Sequence, residues 1–135
     1  MDKTLESESS GSHVVNAVVN KIQDLFDSDN QFLRRIAFME SQDGTAEFTH
    51  RSDFHGGIWQ VDEATFSDTQ NTTKHPELTS QYQKIMEAFK INWLNITWED
   101  LRVPLYSGLA ARLFFSYECE LNHTMQWQSF GISGK

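Results

Sequence analysis

Apolar side chains recur along this chain with a helical period, and the recurrences predict its elements. Val14, Val15, Val18, Ile22, Leu25 and Phe26 share one face of an amphipathic helix over about residues 13–26. Asp27-Ser-Asp-Asn30 interrupts that period and offers an N-cap for a second helix. This second helix runs from about Gln31 to Ser41, with Phe32, Leu33, Ile36 and Ala37 turned inward and Arg34 and Arg35 at its solvated edge. Pro76 suits a helix first turn, and Leu78, Tyr82, Ile85, Met86 and Phe89 carry that helix to about Lys90. Pro104 opens another, in which Leu105, Leu109 and Leu113 fall four residues apart. Its small run Ser107-Gly-Leu-Ala-Ala111 permits close helix contact.

The stretches between these helices are read from their breakers. Gly44 suits a positive φ that stops the second helix. From Thr45 to Gly57 no helical period survives, which predicts an irregular loop with room for a short hairpin. A short helix follows, with Asp62 as its N-cap and Phe66 buried, and Ser67 to Lys74 is polar and loop-like. Thr97-Trp-Glu-Asp100 has the form of a capping box with aspartate in place of glutamate. Beyond Tyr117 the pattern fades. The expected organisation is a polar, disordered leader or cloning scar over 1–12, one mostly α domain over 13–117, and a tail over 118–135.

One pair of stretches suggests chemistry. Glu40 closes an apolar run, and on a helix it shares a face with Ile36 and Ala37. Burial disfavours the charged form, so a carboxyl there should keep its proton to higher pH than an exposed one, as a general acid requires. Some twenty positions later comes Gly56-Gly57-Ile58-Trp59-Gln60-Val61-Asp62. Glu-Ser at the end of an apolar helix, a polar loop, then Gly-Ile-Trp-Gln-Val-Asp resembles the goose-type lysozymes and soluble lytic transglycosylases. Ile58 and Trp59 stand where those families usually have leucine and methionine. The specific motifs are residues 39–41 and 56–62, and the looser likeness runs from about 30 to 115.

The resemblance implies a lysozyme-like single domain with an irregular active-site loop. It implies cleavage of β-1,4 bonds in peptidoglycan or a related amino-sugar polymer, with Glu40 as general acid. Asp53 and Asp62 stand in places matching the two aspartates of the goose type, so by resemblance they hold the attacking water. Their carboxyls should then lie roughly 6.5–9.5 Å from that of Glu40, the inverting geometry. Read from the residues alone, Asp53 is equally a turn residue and Asp62 a helix cap. Gly57, Ile58, Trp59, Gln60 and Tyr106 are the implied substrate-binding residues, Gln60 by hydrogen bonding and Trp59 by stacking on a sugar face. Trp93, Trp98 and Trp127 read as packing. In lytic transglycosylases a single glutamate acts as acid and then base, and the substrate's own hydroxyl closes an anhydro ring. The families also carry a Tyr-Asn motif beyond the position of Leu113, and here Tyr117 is followed by Glu118-Cys-Glu instead. That departure keeps open a non-catalytic glycan-binding or interaction module on the same fold.

Composition narrows the partners. The chain has 135 residues, 39% hydrophobic and 13% aromatic, enough for a real core in one globular domain. Eleven basic against nineteen acidic side chains give a net charge of −8, which disfavours nucleic acid and weakens electrostatic capture by anionic bacterial walls. No apolar run is long enough to span a bilayer, and the first residues lack the apolar core of a signal peptide. The single cysteine, Cys119, excludes an intramolecular disulfide and leans towards a reducing compartment. Three sequons, at Asn71, Asn95 and Asn122, lean the other way, as does the resemblance, towards an extracellular protein. His50, Asp53 and His55 lack the spacing of a helical metal motif, and no phosphate-binding glycine loop is present. The expectation is a monomer acting on a polysaccharide without cofactor or metal.

Overall fold

The computed structural model describes residues 2–27 and 29–118. They contain the helices α1 (Ser12–Leu25), α2 (Phe32–Ser41), α3 (Glu63–Asp68), α4 (Leu78–Phe89) and α5 (Pro104–Glu118). Short 3-10 turns stand at Lys3–Leu5, Trp93–Asn95 and Trp98–Arg102. Among the described residues there is no strand, so the mostly α class holds and the loop after α2 contains no hairpin. Expectations for the tail, including Cys119, Asn122 and Trp127, lie outside the described residues.

The last helix is the centre of the core. Leu105, Leu109 and Leu113 are buried, and so are Ser107, Gly108, Ala110, Ala111, Phe114 and Phe115 around the rest of its circumference. A helix enclosed on nearly every side is one that its neighbours wrap. Here α1, α2, α3 and two of the 3-10 turns all pack on α5. The small residues are what let α1 close in, because a Cβ at Gly108 would stand 2.5 Å from Val18 Cγ1. Helix α1 contributes Val14, Val15, Val18, Val19 and Ile22 to the core, and α2 contributes Leu33, Ile36 and Ala37. Each such wholly buried aliphatic side chain stabilises the fold by about 1.5–3 kcal/mol relative to exposure. Helix α4 is more peripheral: it buries Leu78 and Ile85, while Met86, read as inward, is exposed.

Two end signals differ from the sequence reading. None of the residues 27–30 supplies a side-chain cap to α2; its N-cap position is Gln31. Asp29 Oδ1 accepts from the Gln31 backbone instead, and Asn30 is buried with its amide donating to Phe26 O at 3.1 Å. At Thr97 the expected box does form: Asp100 Oδ2 accepts from Thr97 N at 2.8 Å, opening the 3-10 turn Trp98–Arg102.

The segment expected as a disordered leader is packed on the body. Thr4 is 1% exposed, and Asp2 Oδ1 accepts from both its backbone N–H and its hydroxyl. Lys21 of α1 donates to Asp2 Oδ2 at 2.6 Å, and the hydrogen bonds from Lys21 and Thr4 hold the Asp2 carboxyl down at about 2. Further on, Glu8 N donates to Arg102 O and Gly11 N to Asp43 O. The segment is held by polar side chains meeting backbone, which is why its apolar pattern did not announce it.

Candidate functional site

The site begins where α2 ends. Gln42, Asp43 and Gly44 all take positive φ, at 53°, 62° and 89°, so the chain reverses within three residues of Ser41. Gly44 is needed there. A Cβ on it would meet Ile58 Cγ1 and Ser10 Cβ, each at 2.9 Å. The reversal leaves the Ser41 hydroxyl facing back into the fold. Ser41 Oγ donates to Ile58 O at 2.6 Å and accepts from Gly44 N at 2.8 Å. That one hydroxyl joins the Glu-Ser motif to the Gly-Ile-Trp-Gln motif.

Gly57 to Gln60 is a tight turn closed by Gln60 N donating to Gly57 O at 2.8 Å. Gly57 sits at φ 73°, and a Cβ there would overlap Leu101 O. The turn is wedged into the core. Ser107 Oγ, on α5, donates to Gly56 O and accepts from Trp59 N. Ile58, Trp59 and Gln60 are each 0% exposed, and Trp59 Nε1 donates to Leu33 O on α2. Trp98 Nε1 donates to Val61 O just beyond.

The preceding loop is tied down by two long side chains. Arg102 donates to Arg51 O at 2.5 Å, to Phe54 O at 3.2 Å and to His55 Nδ1 at 2.8 Å, and its remaining Nη1 pairs with Glu8. From inside, Gln60 Nε2 donates to Thr49 O at 3.1 Å and to Gly57 O at 2.8 Å. Both amide protons are thereby used, so Gln60 Oε1 turns outward and accepts from Arg51 Nη1 at 3.1 Å. Arg51 Nη1 also donates to Phe48 O at 2.6 Å, and its guanidinium lies 4.2 Å from the Phe54 ring centroid.

These constraints set Glu40 against the loop. Glu40 is 5% exposed in the last turn of α2, on the buried face with Ile36 and Ala37. With Met39, Phe48 and Arg51 it lines an open groove of about 610 Å³. Met39 and Phe48 are exposed, as is Phe38 beside them, so a recessed carboxyl sits under an apolar and aromatic rim with a guanidinium at one side. Such a set can donate or accept a proton, pair with an anion and cover a flat ligand face.

The other sequence-derived residues fall elsewhere. Gly57, Ile58 and Trp59 offer no surface to a substrate, because the turn is packed between α2 and α5; stacking by Trp59 is corrected to a core role. Gln60 is corrected from cleft wall to a buried brace for Arg51. Asp53 is exposed in the loop and does not line the groove. Asp62 caps α3, its Oδ1 accepting from Thr65 N at 2.8 Å, and lines a separate cavity of about 280 Å³ with Asp68, Lys74, Phe114 and Glu118. In that cavity burial opposes ionisation of Asp68, yet His75 and Lys74 beside it hold its carboxyl below the usual range. Tyr106 stands in the first turn of α5, half-buried, its phenol pushed up by burial and by the charge of Asp100, and it too is not part of the groove lining.

Met39, Phe48 and Arg51 were not legible as site residues. Only the closed turn, with Gln60 at φ 53°, brings Phe48 and Arg51 next to α2. Among the described residues no group of three or more His, Cys, Asp and Glu is arranged to hold a metal ion, and no helix is long and apolar enough to cross a membrane. In comparisons with known proteins, no family model, no curated protein and no solved structure matches this chain.

Proposed function

We propose that this chain is a lysozyme-like glycosidase that cleaves β-1,4 bonds of peptidoglycan or a related amino-sugar polymer, with Glu40 as general acid. The observation that carries the reading is the Ser41 Oγ to Ile58 O bond, which locks the two motifs together and leaves Glu40 recessed in the wall of an open groove. Enclosure of this kind is how a carboxyl keeps its proton for transfer. In the reaction Glu40 gives that proton to the bridging oxygen as the bond from the anomeric carbon to that oxygen breaks, and positive charge develops on the sugar ring.

A specific observation favours the transglycosylase form of this chemistry. Glu40 is the carboxyl that lines the groove, whereas Asp53 stands outside it and Asp62 is engaged as a helix cap. With a single carboxyl at hand, the Glu40 carboxylate left by the first step takes the proton from a substrate hydroxyl as that oxygen attacks the anomeric carbon. The product is then an anhydro sugar, with no water consumed.

The test is a digest of purified peptidoglycan followed by mass analysis of the released fragments. Cleavage by the wild-type protein, lost in Glu40→Gln with little change in melting temperature, supports the reading. An anhydro end identifies transglycosylation and a reducing end hydrolysis. Binding without any cleavage across a range of pH and salt would overturn it in favour of a non-catalytic glycan-binding module.

A further inference from the structure

We infer that Arg51 selects for a carboxylate carried on the sugar seated beside Glu40, so the polymer recognised has acidic rather than wholly neutral amino-sugar units. This rests on the groove being the glycan site proposed above. The chain carries nineteen acidic side chains, yet among the described residues Arg51 makes no ion pair with any of them. Arg102, by contrast, is paired with Glu8, Lys21 with Asp2 and Lys74 with Asp68.

Nor is Arg51 a side chain left loose in solvent. Nη1 is fixed by Phe48 O at 2.6 Å and Gln60 Oε1 at 3.1 Å, and the guanidinium plane is backed by the Phe54 ring. The brace is itself buried: Gln60 is 0% exposed and its amide is oriented by Thr49 O and Gly57 O. The fold therefore holds a guanidinium in fixed orientation on the groove wall while giving it only neutral acceptors. A planar fork held in this way has lost its side-chain entropy before the ligand arrives, and the ligand group that matches it is a carboxylate, bound through two parallel N–H donors. Neutral hydroxyl and acetamido oxygens accept more weakly from the same donors.

The probes are a β-1,4-linked amino-sugar tetrasaccharide bearing free carboxylates on alternate sugars, and the same molecule with those carboxylates converted to methyl amides. Affinity is measured by titration calorimetry on Glu40→Gln, and kcat/KM on the wild type. The free carboxylate should bind about ten- to a hundredfold more tightly than the amide, as hydrogen bonds to a charged group allow. That preference should shrink as salt is raised. Adding Arg51→Gln should remove the preference while affinity for the amide stays within about twofold, and Arg51→Lys should keep only part of it. A purely structural Arg51 would instead weaken both ligands alike. Equal affinity for the two probes, or no binding of either, overturns the inference. A retained preference without cleavage by wild type overturns the glycosidase reading alone. Should Arg51→Gln fail to fold, a salt-insensitive preference in the Glu40→Gln protein overturns the inference on its own.

Discussion

Ser41 Oγ lies 2.6 Å from Ile58 O, a hydrogen bond that spans seventeen residues and fixes the end of α2 against the buried turn. The same oxygen accepts from Gly44 N, so one hydroxyl satisfies a buried carbonyl and a buried amide together. Ser41→Ala strands both partners at a site 1% exposed, and an unsatisfied buried group costs about 1–3 kcal/mol. Urea denaturation should show a loss of that size, with glycan cleavage lowered as the groove loosens. Thr45→Ala removes a comparable hydroxyl bond, to Gln42 O, at an exposed position, and should stay within about 0.5 kcal/mol of wild type.

Gly57→Ala tests the wedge itself. The position needs φ 73° and has Leu101 O and the Ser107 side chain where a Cβ would go. The backbone cannot yield without breaking the Ser107 bonds to Gly56 O and Trp59 N. Strain in the left-handed region adds about 1 kcal/mol on top of the overlap. The variant should lose its cooperative thermal transition or melt far below wild type. A transition near the wild-type temperature would show that the turn relaxes, and that the rigid placement of Arg51 is overstated.

Helices with a clear apolar period were readable because burial and period coincide in them. Val14, Val15, Val18 and Ile22 sit on one face of α1, and that face is the buried one. The loop was not readable, because its tethers are polar side chains reaching backbone far along the chain: Arg102 to Arg51 O and Phe54 O, Ser107 to Gly56 O. Contacts of this kind leave no periodic trace. The segment Lys3–Leu5 misled in the opposite way: its buried residue is Thr4, while Leu5 points to solvent. At the site, Glu40 followed from its helical face, and Asp62 as a cap from its place before α3. Ile58 and Trp59 were assigned outward by the resemblance although their apolar character already pointed inward, and the fold follows the apolar character.

Two aromatic residues separate structure from recognition. Trp59→Phe leaves Leu33 O without its donor and opens space in a fully packed core, which should cost about 2 kcal/mol or more in denaturant unfolding. Phe48→Ala removes a ring that is 44% exposed on the groove rim and should leave stability within about 1 kcal/mol. Its effect belongs to binding: a sugar face that stacks on Phe48 should lose affinity several-fold when the ring goes. If Phe48→Ala binds the tetrasaccharides as tightly as its parent, the rim is not a stacking surface.

His50 gives the loop a pH dependence. Burial pushes its imidazole below the ordinary 6.5, with the Glu8 charge opposing and Arg102 reinforcing, and both ring nitrogens are enclosed without a hydrogen-bond partner. A histidine depressed in the folded state holds fewer protons there than in the unfolded chain, so stability rises with pH across the interval between the two values. The contribution is complete above about 6.5 and is lost progressively as pH falls through that value towards the folded one. His50→Phe keeps a ring in the same space and cannot be protonated. Unfolding free energies measured at about pH 7.5 and about pH 5.5 should therefore fall further for wild type than for His50→Phe. The other described histidines titrate in both proteins and cancel in the comparison. Equal losses would mean that His50 meets solvent in the folded state, and that the loop carrying Phe48 and Arg51 opens more readily than its tethers imply.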